Sequence, residues 1–298
     1  MLMTTAIEEF VLYLQAEKGA SPRTSSAYRS DLCLFRRLLS AQAEPVRIND
    51  ISVVAARSWM LDMKGRGLSN STIARRMHAL KSFWRFLLDT DVVEDERLRK
   101  LGIPKRERKL PAYLCLDELR VLLEAAKSTP HPFVAARDYA LMAVAVYTGV
   151  RRSELLGLRL GDLDLTGGLV VVRGKGGKWR MLPLAEEVAR AIAAWLDLRS
   201  PECKHDFVFT TLRSNRIHPS QMQRIWRRLL MQSGVRSEGV SLHTLRHSAA
   251  TLLLQSGTCD ILQIQQLLGH SRLDTTAIYL HVTPRDLQAA MARHPLLA

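Results

Sequence analysis

The sequence predicts a mainly α-helical protein in two domains: an all-α first half, then an α-rich second half that holds a small antiparallel β-sheet. Apolar residues recur at spacings of three and four from Ala6 to about Leu98, with no alternating run. Between Arg99 and Tyr113 the chain reads RKLGIPKRERKLPAY, where Gly102, Pro104 and Pro111 break any helix amid dense Lys and Arg. Helical spacing then resumes, interrupted by a single β signal, GGLVVVRGKGGKWRMLPL. A length of 298 residues exceeds what one compact core usually organises. The expected division is a helical domain over 1–98, a basic linker over 99–112 and a second domain over 113–298.

In the first half, Ser21-Pro22 has the form of an N-cap followed by proline at the first helical position, opening a helix through Leu39. A second start lies at Ser69 to Thr72. After it, Ile73, Met77, Leu80, Trp84 and Leu87 form one apolar stripe, which leaves Arg75, Arg76, Lys81 and Arg85 on a basic face. Such a face is either simply solvated or a DNA contact, and both readings stay open. The same holds for Lys105, Arg106, Arg108 and Lys109 in the linker: charge for solubility, or a strand laid along a phosphate backbone. In the second half, Asp117 is expected to cap ELRVLLEAA. A buried helix, DYALMAVAVYTGV, stops at Thr148-Gly149. Strands are expected at Leu169 to Arg173 and Trp179 to Leu184 around a glycine-rich turn. Helices return from Leu184, with a break near Phe207 to Pro219.

Charge narrows the class of partner. Lys plus Arg number 43 against 29 Asp plus Glu, a formal net charge of +14, which points to a polyanion. Arginine dominates, and its planar fork suits bidentate phosphate contacts, so nucleic acid ranks above a membrane surface. A merely basic protein is the plainer alternative. Cys33, Cys115, Cys203 and Cys259 form no C-x-x-C pair, so neither a disulfide framework nor a zinc ribbon is indicated and a reducing, cytosolic compartment is expected. The start, MLMTTAIEEF, lacks a basic segment before an apolar core, and the greasiest stretch, Tyr139 to Val150, is too short to span a bilayer.

Several residues have the chemistry of an active site. Arg151 follows the Thr148-Gly149 break, where one helix ends and another begins, although an Arg beside Glu154 is ordinarily a surface ion pair. The hairpin tip Gly174-Lys175-Gly176-Gly177-Lys178 is no Walker loop, because a strand follows it and the spacing is wrong; a lysine on such a finger can still reach a groove. His243 and Arg246 are three apart and share a helical face. His243 and His247 are four apart, but H-T-L-R-H lacks the glutamate and carboxylate ligand of a metalloprotease helix, so no metal is expected, and His247 is read as an ordinary core or surface histidine. Gly269-His270 marks a helix end, and Tyr279 follows nine positions later in a helix that Asp274 is placed to cap. A free phenol has a pKa of about 10, so a nucleophilic tyrosine needs cations near it and near the group it attacks.

The order T-G-x-R, G-K-G, H-x-L-R, L-G-H and then tyrosine resembles that of the tyrosine recombinases of the phage integrase family, with the Xer-type enzymes most similar in layout. The resemblance covers nearly the whole chain. It implies a core-binding, DNA-binding domain followed by a catalytic domain. Arg151 and Arg246 would clamp the scissile phosphate, Lys175 would ride the mobile β-hairpin, His243 and His270 would be the paired histidines, and Tyr279 the nucleophile. It further implies a 3′-phosphotyrosyl intermediate without metal, ATP or other cofactor. The implied partners are duplex DNA with a specific recombination site and a homotetramer, or a heterotetramer with a related recombinase, in which the tail from Pro284 to Leu297 docks into a neighbour. Arg152 after the clamp and Gly177 in the turn depart mildly from the pattern. Phage-type integrases usually carry an additional arm-binding domain ahead of the helical one, and its absence here favours a resolving or simple recombining role. A type IB topoisomerase and a catalytically silent DNA-binding protein are the alternatives; the intact set of six residues argues against the second.

Overall fold

The computed structural model describes residues 1–41, 44–104, 112–174 and 177–269. Within them the chain forms eleven α-helices and one three-stranded sheet, divided between two compact units, 1–109 and 110–298.

The first unit holds α1 (Met3–Ala16), α2 (Pro22–Ser40), α3 (Val53–Gly65) and α4 (Asn70–Asp89). Serine hydroxyls start three of them: Ser21, Ser52 and Ser69 accept from the backbone N–H of Thr24, Ala55 and Thr72. Each satisfies one of the donors that a helix start leaves over. The apolar faces meet in a core built on aromatic rings, with Phe10 edge-on to Phe83 at 5.4 Å and Phe35 tilted against Trp59 at 4.9 Å. Leu98 and Leu101 are buried in this core and Ile103 packs against it, although the sequence places the linker from residue 99. Two side chains of α4 hold that segment: the Trp84 indole N–H donates to the Asp95 carbonyl at 2.7 Å, and Lys81 Nζ donates to the Leu101 carbonyl at 2.8 Å.

The second unit is arranged around α6 (Pro132–Thr148), which is buried along most of its length, as an almost uniformly apolar helix must be. Alanines at 140, 143 and 145 let neighbours come close. Against it lie α5 (Leu116–Lys127), α8 (Glu186–Leu198) and α10 (Leu242–Gln255), while α9 (Pro219–Ser233) packs on α5. Trp195 of α8 is fully buried with its indole N–H on the Val208 carbonyl at 2.9 Å. The sheet runs β1 (Leu163–Asp164), β2 (Leu169–Arg173), β3 (Trp179–Pro183), antiparallel throughout, with Val171 opposite Met181 and Arg173 opposite Trp179. Val170, Val172 and Leu182 face the core. The short helices α7 (Arg152–Leu155) and α11 (Ile261–Leu268) complete the set.

Three details differ from the sequence expectation. Cys115, not Asp117, is the N-cap of α5, and its backbone N–H donates to Glu118 at 2.8 Å; Asp117 sits inside the first turn, where a negative charge still favours the helix start. The buried helix begins at Pro132, because proline at the first helical position needs no partner for a missing N–H. Strand β1 spans only two residues, too few to show alternation. All four cysteines are free. Among the described residues no helix is long and apolar enough to cross a membrane.

Gly149 caps α6 in the left-handed conformation, with φ of 60°, and a Cβ there would stand 2.9 Å from Leu268 Cδ2 and 3.3 Å from Ala249 Cβ. Three helices converge on this point. Gly149→Ala combines the left-handed penalty with a clash, and the expected loss is about 1–3 kcal/mol. Urea denaturation of the second unit tests this; an unchanged midpoint contradicts it.

Candidate active site at the end of helix α11

The left-handed turn at Gly149 reverses the chain and makes Arg151 the residue before α7. There Arg151 forms a capping pair with Glu154: its backbone N–H donates to Glu154 Oε2 at 2.9 Å, and its Nη1 to Oε1 at 2.8 Å. The sequence reading of a surface ion pair is corrected here, because Glu154 is only 5% exposed. A second guanidinium completes its shell. Arg180 of β3 donates from Nη1 to Glu154 Oε1 at 3.1 Å and from Nη2 to Oε2 at 2.8 Å, so four donors saturate one carboxylate. Burial pulls the Glu154 carboxyl upward, yet the hydrogen bonds from Arg180 and Arg151 outweigh it and hold the pKa below the usual carboxylate range.

Ser241 opens α10 by accepting from the backbone N–H of His243, and Arg246 lies one turn further on. Arg246 is 2% exposed and reaches two helix ends at once: Nη1 donates to the Gly149 carbonyl at 2.8 Å, Nη2 to the Leu268 carbonyl at 2.6 Å. Partial desolvation, then the charges of Arg246 and Arg151, depress the His243 pKa below the ordinary imidazole value. The His247 ring stands edge-on to His243 with centroids 4.7 Å apart; burial, then His243 and Arg246, lower its pKa to about 4, which keeps it neutral near pH 7.

Three arginines from three elements therefore meet the end of α11. Arg180 Nε donates to the Leu267 carbonyl at 3.0 Å, Arg246 to Leu268, and Arg151 Nη2 to Gly269 at 3.3 Å. The last carbonyls of a helix lack intrahelical partners and carry the negative end of its dipole, so they attract cations in this way. The arrangement can bind an anion: Arg151 keeps a third of its side chain exposed, and the nearest carboxylate is already saturated.

Of the residues singled out from sequence, Arg151, His243 and Arg246 come together; Lys175, His270, Asp274, Tyr279 and the tail from Pro284 to Leu297 lie outside the described residues. Lys105, Arg106, Arg108 and Lys109 lie outside them as well. On α4, Arg75 and Arg76 both turn to the buried Asp31, Lys81 is bound to Leu101, and Arg85 pairs loosely with Asp89 at 3.8 Å. Arg180 was missed by the sequence reading. Its signal is its phase in β3, where it shares the inward face with Leu182. Also missed is an open cleft of about 660 Å³ whose lining includes Arg137, Arg213, Arg224 and Arg228. Arg137 and Arg228 are held by the buried Asp138, while Arg213 and Arg224 have no ion-pair partner among the described residues.

Because the Glu154 pKa is lowered on folding, its stabilisation is complete above the unfolded value near 4.5 and is lost as pH falls through the folded one. Glu154→Gln leaves two guanidiniums short of their anion, an expected loss of about 3–5 kcal/mol at neutral pH. In urea melts across pH, the gap between wild type and variant should narrow on acidification below the ordinary carboxylate range. A gap that stays constant down to the acid limit contradicts the assignment.

Comparison with known proteins places this geometry. Residues 112–285 match the phage integrase family, and residues 7–90 match the phage integrase N-terminal SAM-like domain. Tyrosine recombinase XerC of Pelotomaculum thermopropionicum is 34% identical over 306 aligned positions, covering 98% of this chain and 99% of its own. XerC of Corynebacterium efficiens is 37% identical, over 98% and 92%. Among solved structures, XerH site-specific recombinase bound to palindromic difH substrate, a post-cleavage complex, superposes with a TM-score of 0.74 at 27% identity, covering 93% of this chain and 81% of that one. The arginine cluster at the end of α11 thus sits in the second of two matched segments, and the chain belongs to the phage integrase family as a Xer-type tyrosine recombinase.

Proposed function

We propose that this chain cuts and rejoins duplex DNA at a specific site through a 3′-phosphotyrosyl link to Tyr279. The observation that carries the reading is the convergence of Arg151 and Arg246, with His243 beside them, on the end of α11, from which the sequence continues through Gly269 to His270 and Tyr279. The phenolic oxygen of Tyr279 attacks the scissile phosphorus and the bond to the 5′ oxygen breaks. Negative charge grows on the non-bridging oxygens, where the guanidiniums of Arg151 and Arg246 stabilise it. Lys175 delivers the proton to the departing 5′ oxygen, while His243 and His270 handle the tyrosine proton and orient the phosphate. A depressed His243 pKa suits a group that accepts a proton at neutral pH. One phosphoester replaces another, so an incoming 5′-hydroxyl reverses the step without ATP.

The first unit serves as the core-binding domain and the second as the catalytic domain. Arg213 and Arg224, without an ion-pair partner among the described residues, are available for backbone phosphates, and Arg85 is the most exposed of the α4 cations. Four protomers on two sites, with the tail from Pro284 to Leu297 exchanged between neighbours, complete the assembly. The XerH structure, which holds its own substrate after cleavage, supports this reading by likeness.

The site is found by sequencing DNA recovered from covalent complexes. A nicked duplex carrying it should then trap the wild-type chain, and Tyr279→Phe should bind the duplex yet form no adduct. An adduct from the variant moves the nucleophile elsewhere. Lys175→Ala should regain cleavage when the 5′ bridging oxygen is replaced by sulfur, a leaving group that needs no proton; no recovery demotes Lys175 to a phosphate contact.

A further inference from the structure

Arg180 has no part in the chemistry just described, yet its side chain makes three hydrogen bonds within the site. It leaves β3 on the inward face, two residues past the hairpin turn that the Gly174 N–H closes on the Lys178 carbonyl at 2.7 Å. Its two terminal nitrogens fork onto both oxygens of Glu154, and its Nε holds the Leu267 carbonyl at 3.0 Å. The packing leaves little room for adjustment. A Cβ on Gly269 would stand 3.1–3.3 Å from the Arg180 side chain, and one on Gly174 would stand 3.7 Å from its Nη1 and 3.8 Å from Glu154 Oε1. Arg180 is thus wedged between two glycines, one at the mouth of the hairpin turn and one at the end of α11.

We propose that Arg180 is a positioning residue: it locks β3, the Arg151–Glu154 pair and the end of α11 into one unit, so that the guanidiniums of Arg151 and Arg246 are presented in a fixed relation. The inference rests on the recombinase reading given above. Three features support it. Arg180, carried on β3, hydrogen-bonds both Glu154 and the Leu267 carbonyl of α11. Glu154 takes both terminal nitrogens of Arg180 but only one guanidinium nitrogen of Arg151, which leaves Arg151 donors over for a substrate anion. The planar fork with a separate Nε–H reaches a carboxylate and a carbonyl at once, and a lysine ammonium cannot reproduce that geometry.

The test uses the full-length chain and a nicked duplex carrying the sequenced site, comparing wild type, Arg180→Lys and Arg180→Gln. Folded fraction is read by circular dichroism and limited proteolysis, duplex affinity by titration, and chemistry by the single-turnover rate of covalent adduct formation. The expected result is duplex affinity within about twofold of wild type, with the adduct rate per folded molecule reduced roughly tenfold to a hundredfold in Arg180→Gln and less in Arg180→Lys. An Arg180→Gln rate per folded molecule within about twofold of wild type overturns the inference, as does a rate loss matched by an equal loss of affinity. If Arg180→Gln does not fold, Arg180→Lys decides on the same criteria. Failure of both to fold assigns Arg180 to stability alone and also overturns it. The wild-type control separates the two levels: no wild-type adduct defeats the recombinase reading itself, whereas a wild-type adduct with an undiminished Arg180→Gln adduct defeats only this inference.

Discussion

Helix α11 is eight residues long, and its last carbonyls are aimed at guanidinium groups. Arg180, Arg246 and Arg151 take Leu267, Leu268 and Gly269 in succession, and each comes from a different part of the second unit. This capping gathers the candidate site. Gly149 must lack a side chain because α6 ends against Leu268, and the same Gly149 offers its carbonyl to Arg246. Glu154 must be ionised because two of the three guanidiniums rest on it. A single buried carboxylate with several arginines around it leaves an excess of positive charge, compensated in part by carbonyl dipoles. An anionic ligand such as the phosphodiester of the proposed reaction would supply negative charge there. In this arrangement the stability of the fold and the affinity for an anion draw on the same groups.

The energetic consequence is pre-organisation. Guanidiniums already held by carbonyls and a carboxylate need little rearrangement when charge develops on a phosphate, and fixed donors of this kind account for much of the barrier lowering in phosphoryl and acyl transfer. The lowered pKa values of His243 and His247 fit the same surroundings, because burial first, and then the charge of Arg246, disfavour a further positive charge there. Burial and cationic crowding thus act on the guanidiniums and on the imidazoles together.

Much of this was legible in the sequence where local chemistry decides the structure. Serine before proline at 21–22, serine at 69 and glycine at 149 and 269 mark helix ends because capping and left-handed backbone depend on the residue at that position alone. The hairpin strands followed from an apolar, β-branched run and a second strand set around a glycine-rich turn. Contacts between distant segments were not legible. Nothing near Arg180 announces that its partners are Glu154, 26 positions away, and Leu267, 87 positions away. Likewise Arg75 and Arg76 read as a free basic face until Asp31, on another helix, is seen to face them. Cys115 displaced Asp117 as a cap because Glu118 closes the box from the third position, a choice that propensity alone does not make.

Hydrogen–deuterium exchange over residues 261–269 tests the capping of α11 most directly. With Arg180 replaced by glutamine, faster exchange should appear in that helix while α8 and α9 keep wild-type protection, since a short helix deprived of a cap frays from its end. Unchanged protection over 261–269 would contradict the account, because the end of α11 would then be held by something other than its arginines.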